Sequence, residues 1–138
     1  FPIYRSFTLS FSHYLQLMNA HLRIRNVAMV LVGVAALLSK SWFREFIGDL
    51  AHAYLGNLSA SFAVFFVIAI TAAPRLHRIW IAAIALTILE GFELTNGFGV
   101  MTNVYDPFDY LANSLGLGLA FVVDLVLDRL PQVGSIRD

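Results

Sequence analysis

The chain has 138 residues, of which 59% are hydrophobic and 13% are charged, and its formal net charge at pH 7 is zero. A soluble domain is about half apolar and about a quarter charged, so this composition favours a membrane protein over a soluble one. The absence of cysteine excludes disulfides and thiolate chemistry, and the zero net charge provides no field that would recruit nucleic acid.

The first twenty or so residues place apolar side chains at every third or fourth position, with polar residues between them. The residues that follow this spacing are Phe7, Phe11, Leu15, Met18 and Leu22. It predicts an amphipathic helix over 1–22 that lies in the membrane interface. Packing of the same face against a neighbouring subunit explains the pattern equally well.

Four apolar segments follow, and a membrane helix needs about 20 mostly apolar residues. The clearest segment contains the run from Phe62 to Ile70, and Pro74 ends it. The predicted membrane helices are 23–43, 50–73, 79–95 and 107–127. The predicted fold class is therefore an all-α integral membrane bundle of about four transmembrane helices, preceded by the amphipathic N-terminal helix, in one domain over 1–138.

Lysine and arginine are distributed unevenly between the two sides of this four-helix arrangement. Those on one side are Arg5, Arg23, Arg25, Arg75, Arg78, Arg129 and Arg137. Only Lys40 and Arg44 fall on the other side. The positive-inside rule therefore predicts that both termini are cytoplasmic, or on the matrix side in an organelle. We expect a multi-pass protein of the bacterial inner membrane.

Several polar side chains fall within the apolar segments, where a charge is unfavourable and often marks a site. Counted from Ile79 at about 1.5 Å of rise per residue, Glu90 is expected near the middle of the bilayer. Glu93 is three residues further along and is expected to share its face. The predicted polar cluster, for ligand or partner binding, comprises Asp49, His52, Glu90, Glu93, Asp109 and Asn113. Protonation, a bound cation or amine, or a partner's arginine would each balance its carboxylates. The alternative is that Glu90 and Glu93 only hydrogen-bond across helices, and that Asp49 is a helix N-cap.

The last segment combines polar and small residues at helical spacing. Gly116, Gly118 and Ala120 are expected to let another helix approach closely. Asp124 is expected to pair with Arg129 or with another helix. No metal-binding signature, phosphate-binding loop or serine–histidine arrangement occurs, so no metal ligand or catalytic residue is assigned and no cofactor is identified.

Three motifs in the second half of the chain resemble those of the VanZ-like family of small integral membrane proteins. They are Asp49 with His52, Glu90-Gly-Phe-Glu93 and Asp109-Tyr-Leu-Ala-Asn113-Ser-Leu-Gly116. Glu93 stands where that family usually has glutamine. The resemblance covers mainly 49–118, and it implies a multi-pass topology with a polar cluster rather than a particular reaction.

The leading functional hypothesis is a non-catalytic accessory or structural subunit of a membrane protein complex. Its expected partners are membrane lipids and other membrane protein subunits, with no nucleic acid. A small transporter or proton relay that uses the intramembrane carboxylates is one alternative. An envelope enzyme acting on a lipid-linked substrate is another. Pigment binding by His21 or His52 is a further alternative.

Overall fold

The structure, a computed structural model, describes residues 2–42, 44–72, 76–95, 99 and 106–129, with side chains from residue 20 onward except at 47, 50 and 51. Every regular element within these ranges is a helix, which confirms the predicted all-α class. The helices are α1 (Pro2–Ser39), α2 (Arg44–Ala72), α3 (Arg78–Leu94) and α4 (Pro107–Arg129).

The first helix, α1, runs without interruption for 38 residues. The sequence predicted two elements here, an interfacial helix over 1–22 and a membrane helix over 23–43. Neither glycine nor proline occurs between Ile3 and Val32, so no residue interrupts the backbone hydrogen bonds at the expected boundary. Apart from Leu22, the predicted amphipathic face consists of side chains outside the described part of the chain, and it stays a prediction.

The second helix, α2, is kinked near its start, at Gly48. The backbone of Gly48 has φ 77° and ψ 164°, a conformation that glycine adopts without steric strain. The stretch His52–Ala72, which follows the kink, is long and apolar enough to cross a membrane. The predicted segment 50–73 covers this stretch.

Three stretches in the described residues have the length and hydropathy of a membrane span. They are Ala20–Ser39, His52–Ala72 and Pro107–Arg129. The remaining helix, α3, has 17 residues, and at about 1.5 Å per residue it is shorter than a bilayer core of about 30 Å. The fourth span expected at 79–95 therefore stays a prediction.

The central helix of the bundle is α2, which packs against each of the other three, while α3 also packs against α4. The core lies around Phe62, Phe65 and Phe66, and the last two are fully buried. The ring centroid of Phe66 lies 5.1 Å from that of Phe62 and 5.2 Å from that of Phe65. The other core residues are Ala69, Ile81, Ala85, Leu117 and Ala120. A packed aromatic layer thus occupies the middle of the bundle.

The predicted small packing residues of α4 fall on two sides of the helix. A Cβ atom at Gly116 would overlap the carbonyl oxygen of Leu58 and lie 3.0 Å from the carbonyl carbon. Ala120 is fully buried in the core. Gly118 is exposed, and among the described residues no neighbouring helix comes within 4 Å of where its Cβ would be. Gly116 and Ala120 therefore face into the bundle, and Gly118 faces out.

Candidate functional site

Three side-chain hydrogen bonds join α2 to α4 toward the N-terminal ends of both helices. The bonded pairs are Tyr54–Asp106 at 2.9 Å, Asn57–Asp109 at 2.6 Å and Ser61–Asn113 at 2.8 Å. The partners in each pair are 52 residues apart, so the two helices run parallel in a constant register. Successive pairs are three or four residues apart along each helix, which places all of them on facing surfaces. We call this set of bonds the polar ladder.

A cavity of about 590 Å³ lies beside the polar ladder and is bordered by residues of α2, α3 and α4 and of the end of α1. Three of its ionisable residues lie at helix ends. Lys40 follows α1, Glu93 is next to last in α3, and Asp109 is in the first turn of α4. Asn57 and Asn113 add amide groups. The apolar part of the wall includes Leu37, Val64 and Ile88.

The structure brings together some of the predicted site residues and separates others. Glu93, Asp109 and Asn113 border the cavity. Asp49 lies apart, because its side chain is 84% exposed and its Oδ1 accepts a hydrogen bond from Arg44 at 3.0 Å. Asp49 directly follows the kink at Gly48, four residues before Ala53, the first described residue of α2 that borders the cavity. His52 is partly buried and is not among the described lining residues.

Glu90 lies three residues before Glu93 on α3 but is not among the described residues that border the cavity. Both of its carboxylate oxygens are buried, and neither has a hydrogen-bond partner within the described ranges. Helical periodicity places Glu90 on the same stripe as Ile79, Ala83 and Leu86. An unpaired buried polar group is unfavourable by about 1–3 kcal/mol, and a charged one by more. A proton or an external hydrogen-bond donor is needed to balance this carboxylate.

The stripe that leads to Glu90 borders a groove of about 390 Å³ between α3 and α4. We call it the α3–α4 groove. Ser114 and Gly118 line it from α4, and Ala83 and Leu86 line it from α3. Leu86 is 37% exposed, so the groove opens toward the surroundings of the bundle. Its lining is almost entirely apolar and contains several small residues.

A second polar cluster lies at the opposite end of the bundle, where α3 begins and α4 ends. Asp124 is 6% exposed, accepts a hydrogen bond from Arg25 of α1 and forms an ion pair with Arg78 of α3. Its Oδ1 lies 2.5 Å from Nη2 of Arg25, and its Oδ2 lies 3.3 Å from Nε of Arg78. One turn further along α4, Asp128 lies 2.7 Å from Nη2 of Arg78. This ionic cluster balances two arginines with two aspartates and joins α1, α3 and α4.

The sequence interpretation did not identify this ionic cluster as a unit. The sequence predicted that Asp124 pairs with Arg129 or with another helix. In the structure it pairs with Arg25 of α1 and Arg78 of α3. The sequence feature that could have indicated the cluster is the spacing of four residues between Asp124 and Asp128, which predicts that both lie on one face of the helix. Asn26, 1% exposed, also belongs here, because its Oδ1 accepts from Nε and Nη2 of Arg25 at 3.2 and 3.0 Å.

The chemistry that these groups support is binding by hydrogen bonds and charge. Among the described residues, no three histidine, aspartate or glutamate side chains are grouped so as to hold a metal ion. The cavity offers acceptors in its carboxylates, donors in its lysine, and both in its amides. Such a set suits a ligand that carries both signs of charge.

The outer surface of α1 defines the class of protein. Ile24, Leu31 and Leu38 are 70, 63 and 73% exposed. Apolar surface of this extent is unfavourable in water and is covered by lipid in a bilayer. Together with the three helices long and apolar enough to span, it defines an α-helical membrane protein. The chain matches no protein-family model, no curated protein and no solved structure.

Proposed function

We propose that the chain is a VanZ-like multi-pass membrane protein that serves as a non-catalytic subunit of a membrane protein complex. In this role it binds a transmembrane helix of its partner in the α3–α4 groove. The observation that carries the proposal is Glu90, whose buried carboxylate has no hydrogen-bond partner within the described residues. Glu90 lies one helical turn beyond Leu86, which lines the groove, so an occupant that extends past Leu86 along α3 is placed to approach this carboxylate.

The small residues of the groove support a helix as the occupant. Helices in membranes associate through close packing at small side chains, because lipid tails provide no hydrophobic driving force. Ser114 and Gly118 lie four residues apart on α4 and both line the groove. Gly118 has no described atom of another helix within 4 Å of its would-be Cβ, so a partner backbone has room to approach.

Charge complementarity specifies the partner further. A carboxylate in the membrane is stabilised by a basic side chain more strongly than by a neutral donor. The partner helix is therefore expected to carry an arginine or a lysine level with Glu90. The remainder of its contact surface is apolar, to match the lining of the groove.

The aromatic layer in the middle of the bundle favours this role over transport or proton relay. A relay requires polar groups that connect the two ends of the bundle. Phe65 and Phe66 are fully buried between the polar ladder and the ionic cluster. Buried, closely packed aromatic rings in that position favour a static subunit.

Replacing Glu90 with leucine is expected to reduce partner co-purification by tenfold or more, because the partner's basic residue then lies unpaired in the membrane. The same change removes an unsatisfied carboxylate, so the isolated chain is expected to keep or raise its melting temperature. Gly118→Leu is expected to block the groove with a similar loss of partner. Both readouts come from purification in mild detergent, followed by quantitative mass spectrometry and thermal unfolding.

Leu31→Ala is the matched control, because Leu31 is exposed on α1, and α1 makes no close backbone contact with the described parts of α3 or α4. This variant is expected to retain the partner fully. Wild-type levels of the partner with both Glu90→Leu and Gly118→Leu would contradict the proposed docking site.

A further inference from the structure

The wall of the cavity beside the polar ladder changes from polar to apolar along the axis of the bundle. Lys40, Glu93 and Asp109 lie at or next to helix ends, where the bundle meets the membrane surface. Leu37 and Ile88 border the cavity from positions further inside their helices. A molecule with a polar head at the surface and hydrocarbon beneath it matches this order. Membrane phospholipids have this arrangement.

The ionisable groups of the cavity are two acids and one base. Asp109 accepts a hydrogen bond from Asn57 at 2.6 Å, and it forms no salt bridge with any described residue. Lys40 likewise has no ion pair in the described part of the chain. Charges at the edge of a membrane are stabilised by opposite charges. A ligand with one cationic and one anionic group would supply both.

Asn113 adds an unsatisfied amide beside Asp109. It is 2% exposed, and its Nδ2 is buried without a hydrogen-bond partner among the described residues. The Ser61 hydroxyl lies 2.6 Å from the Asn57 carbonyl oxygen and 2.8 Å from Asn113 Oδ1, but it has a single proton to donate. Whichever amide atom of Asn113 faces Ser61, the other has no partner.

We infer that this cavity binds the headgroup of an aminophospholipid, with the ammonium at Asp109 and the phosphate at Lys40. The volume of about 590 Å³ falls within the usual size of ligand pockets, roughly 300–1,000 Å³. A primary ammonium donates hydrogen bonds to Asp109, whereas the trimethylammonium of choline has no N–H to donate. A glycerol headgroup carries no cation for Asp109. The cavity therefore selects phosphatidylethanolamine over phosphatidylcholine and phosphatidylglycerol.

This cavity shares no described lining residue with the α3–α4 groove, so a variant is expected to lose lipid binding or partner docking without losing the other. Variants of the cavity change which lipid is retained. Variants of Glu90 or Gly118 change the partner and leave lipid selection intact.

The test is native mass spectrometry of the delipidated full chain in an equimolar mixture of the three lipids. The wild type is expected to retain phosphatidylethanolamine about tenfold more than either competitor, as charge-assisted hydrogen bonds imply. Asp109→Asn is expected to remove the preference over phosphatidylglycerol. Asp49→Asn is the matched control, since Asp49 is an exposed carboxylate outside the cavity, and it is expected to keep the wild-type preference.

A second variant keeps the inference testable if Asp109→Asn does not fold. Ala60 borders the cavity and takes no part in the polar ladder, so Ala60→Phe is expected to fill the space and reduce retention of all three lipids. Soluble phosphoethanolamine is the competitor that distinguishes a lipid from a free metabolite. It is expected to displace the lipid poorly, because it lacks the hydrocarbon that packs against the apolar wall.

Equal retention of the three lipids by the wild type would overturn the inference. An unchanged preference in Asp109→Asn, or unchanged lipid retention in Ala60→Phe, would also overturn it. Binding of soluble phosphoethanolamine as tight as that of the lipid would overturn the assignment to a lipid headgroup.

Discussion

Replacing Asp124 with alanine is expected to destabilise the bundle by about 3 kcal/mol or more, the usual consequence of removing one partner from a buried ionic pair. Asp124 is 6% exposed and holds Arg25 and Arg78 together. Without it, Arg25 keeps its hydrogen bonds to Asn26, but its nearest described carboxylate is that of Asp128 at 3.8 Å, so a positive charge remains poorly compensated inside the protein. The measurement is thermal unfolding of the purified chain in detergent, followed by circular dichroism.

Asp128→Ala is the control for this experiment. Its side chain is 47% exposed, and an ion pair with that exposure contributes about 1 kcal/mol or less. Equal destabilisation by the two alanine variants would contradict the assignment of Asp124 as the centre of the ionic cluster.

Alanine is expected to have opposite effects at Gly116 and Gly118, although these glycines are two residues apart on one helix. At Gly116 the new methyl group would overlap the Leu58 carbonyl oxygen, and a backbone atom in a helix cannot move aside. Overpacking of this kind destabilises by about 1–3 kcal/mol, and separation of α2 from α4 would also weaken the polar ladder. Thermal unfolding and deuterium exchange at α2 and α4 measure the effect.

Gly118→Ala serves as the matched control, because no described residue of another helix lies near the added methyl group. Alanine is a better helix former than glycine by roughly 0.5–1 kcal/mol, so this variant is expected to be neutral or slightly more stable. Similar losses of stability from both substitutions would contradict the parallel packing of α4 on α2 at Leu58.

The hydrophobic segments of the sequence predicted most of the helical architecture. The expected segment 107–127 lies within α4, and 79–95 overlaps α3 almost completely. Both begin beside a proline or a charged cluster, which are strong local signals. The boundary within α1 was not predictable in the same way, because a change in hydrophobicity at residue 22 need not interrupt a helix.

The candidate sites were harder to predict, because periodicity tells which residues share a face but not which faces meet. Glu90 and Glu93 are three residues apart, yet only Glu93 borders the cavity. The partners of Asp124 lie on α1 and α3, far away in the sequence, and nothing local to α4 indicates them. Asp49 lies next to Gly48, whose unusual backbone angles only the structure reveals.

Site-specific photocrosslinking in the native membrane shows directly whether this chain is a subunit bound through the α3–α4 groove. A photoreactive residue replaces Leu86 in the groove, and in a second variant it replaces Leu31 on the outer face of α1. We expect one protein adduct of defined mass from position 86 and only lipid adducts from position 31. Lipid adducts alone from both positions would contradict binding through the groove.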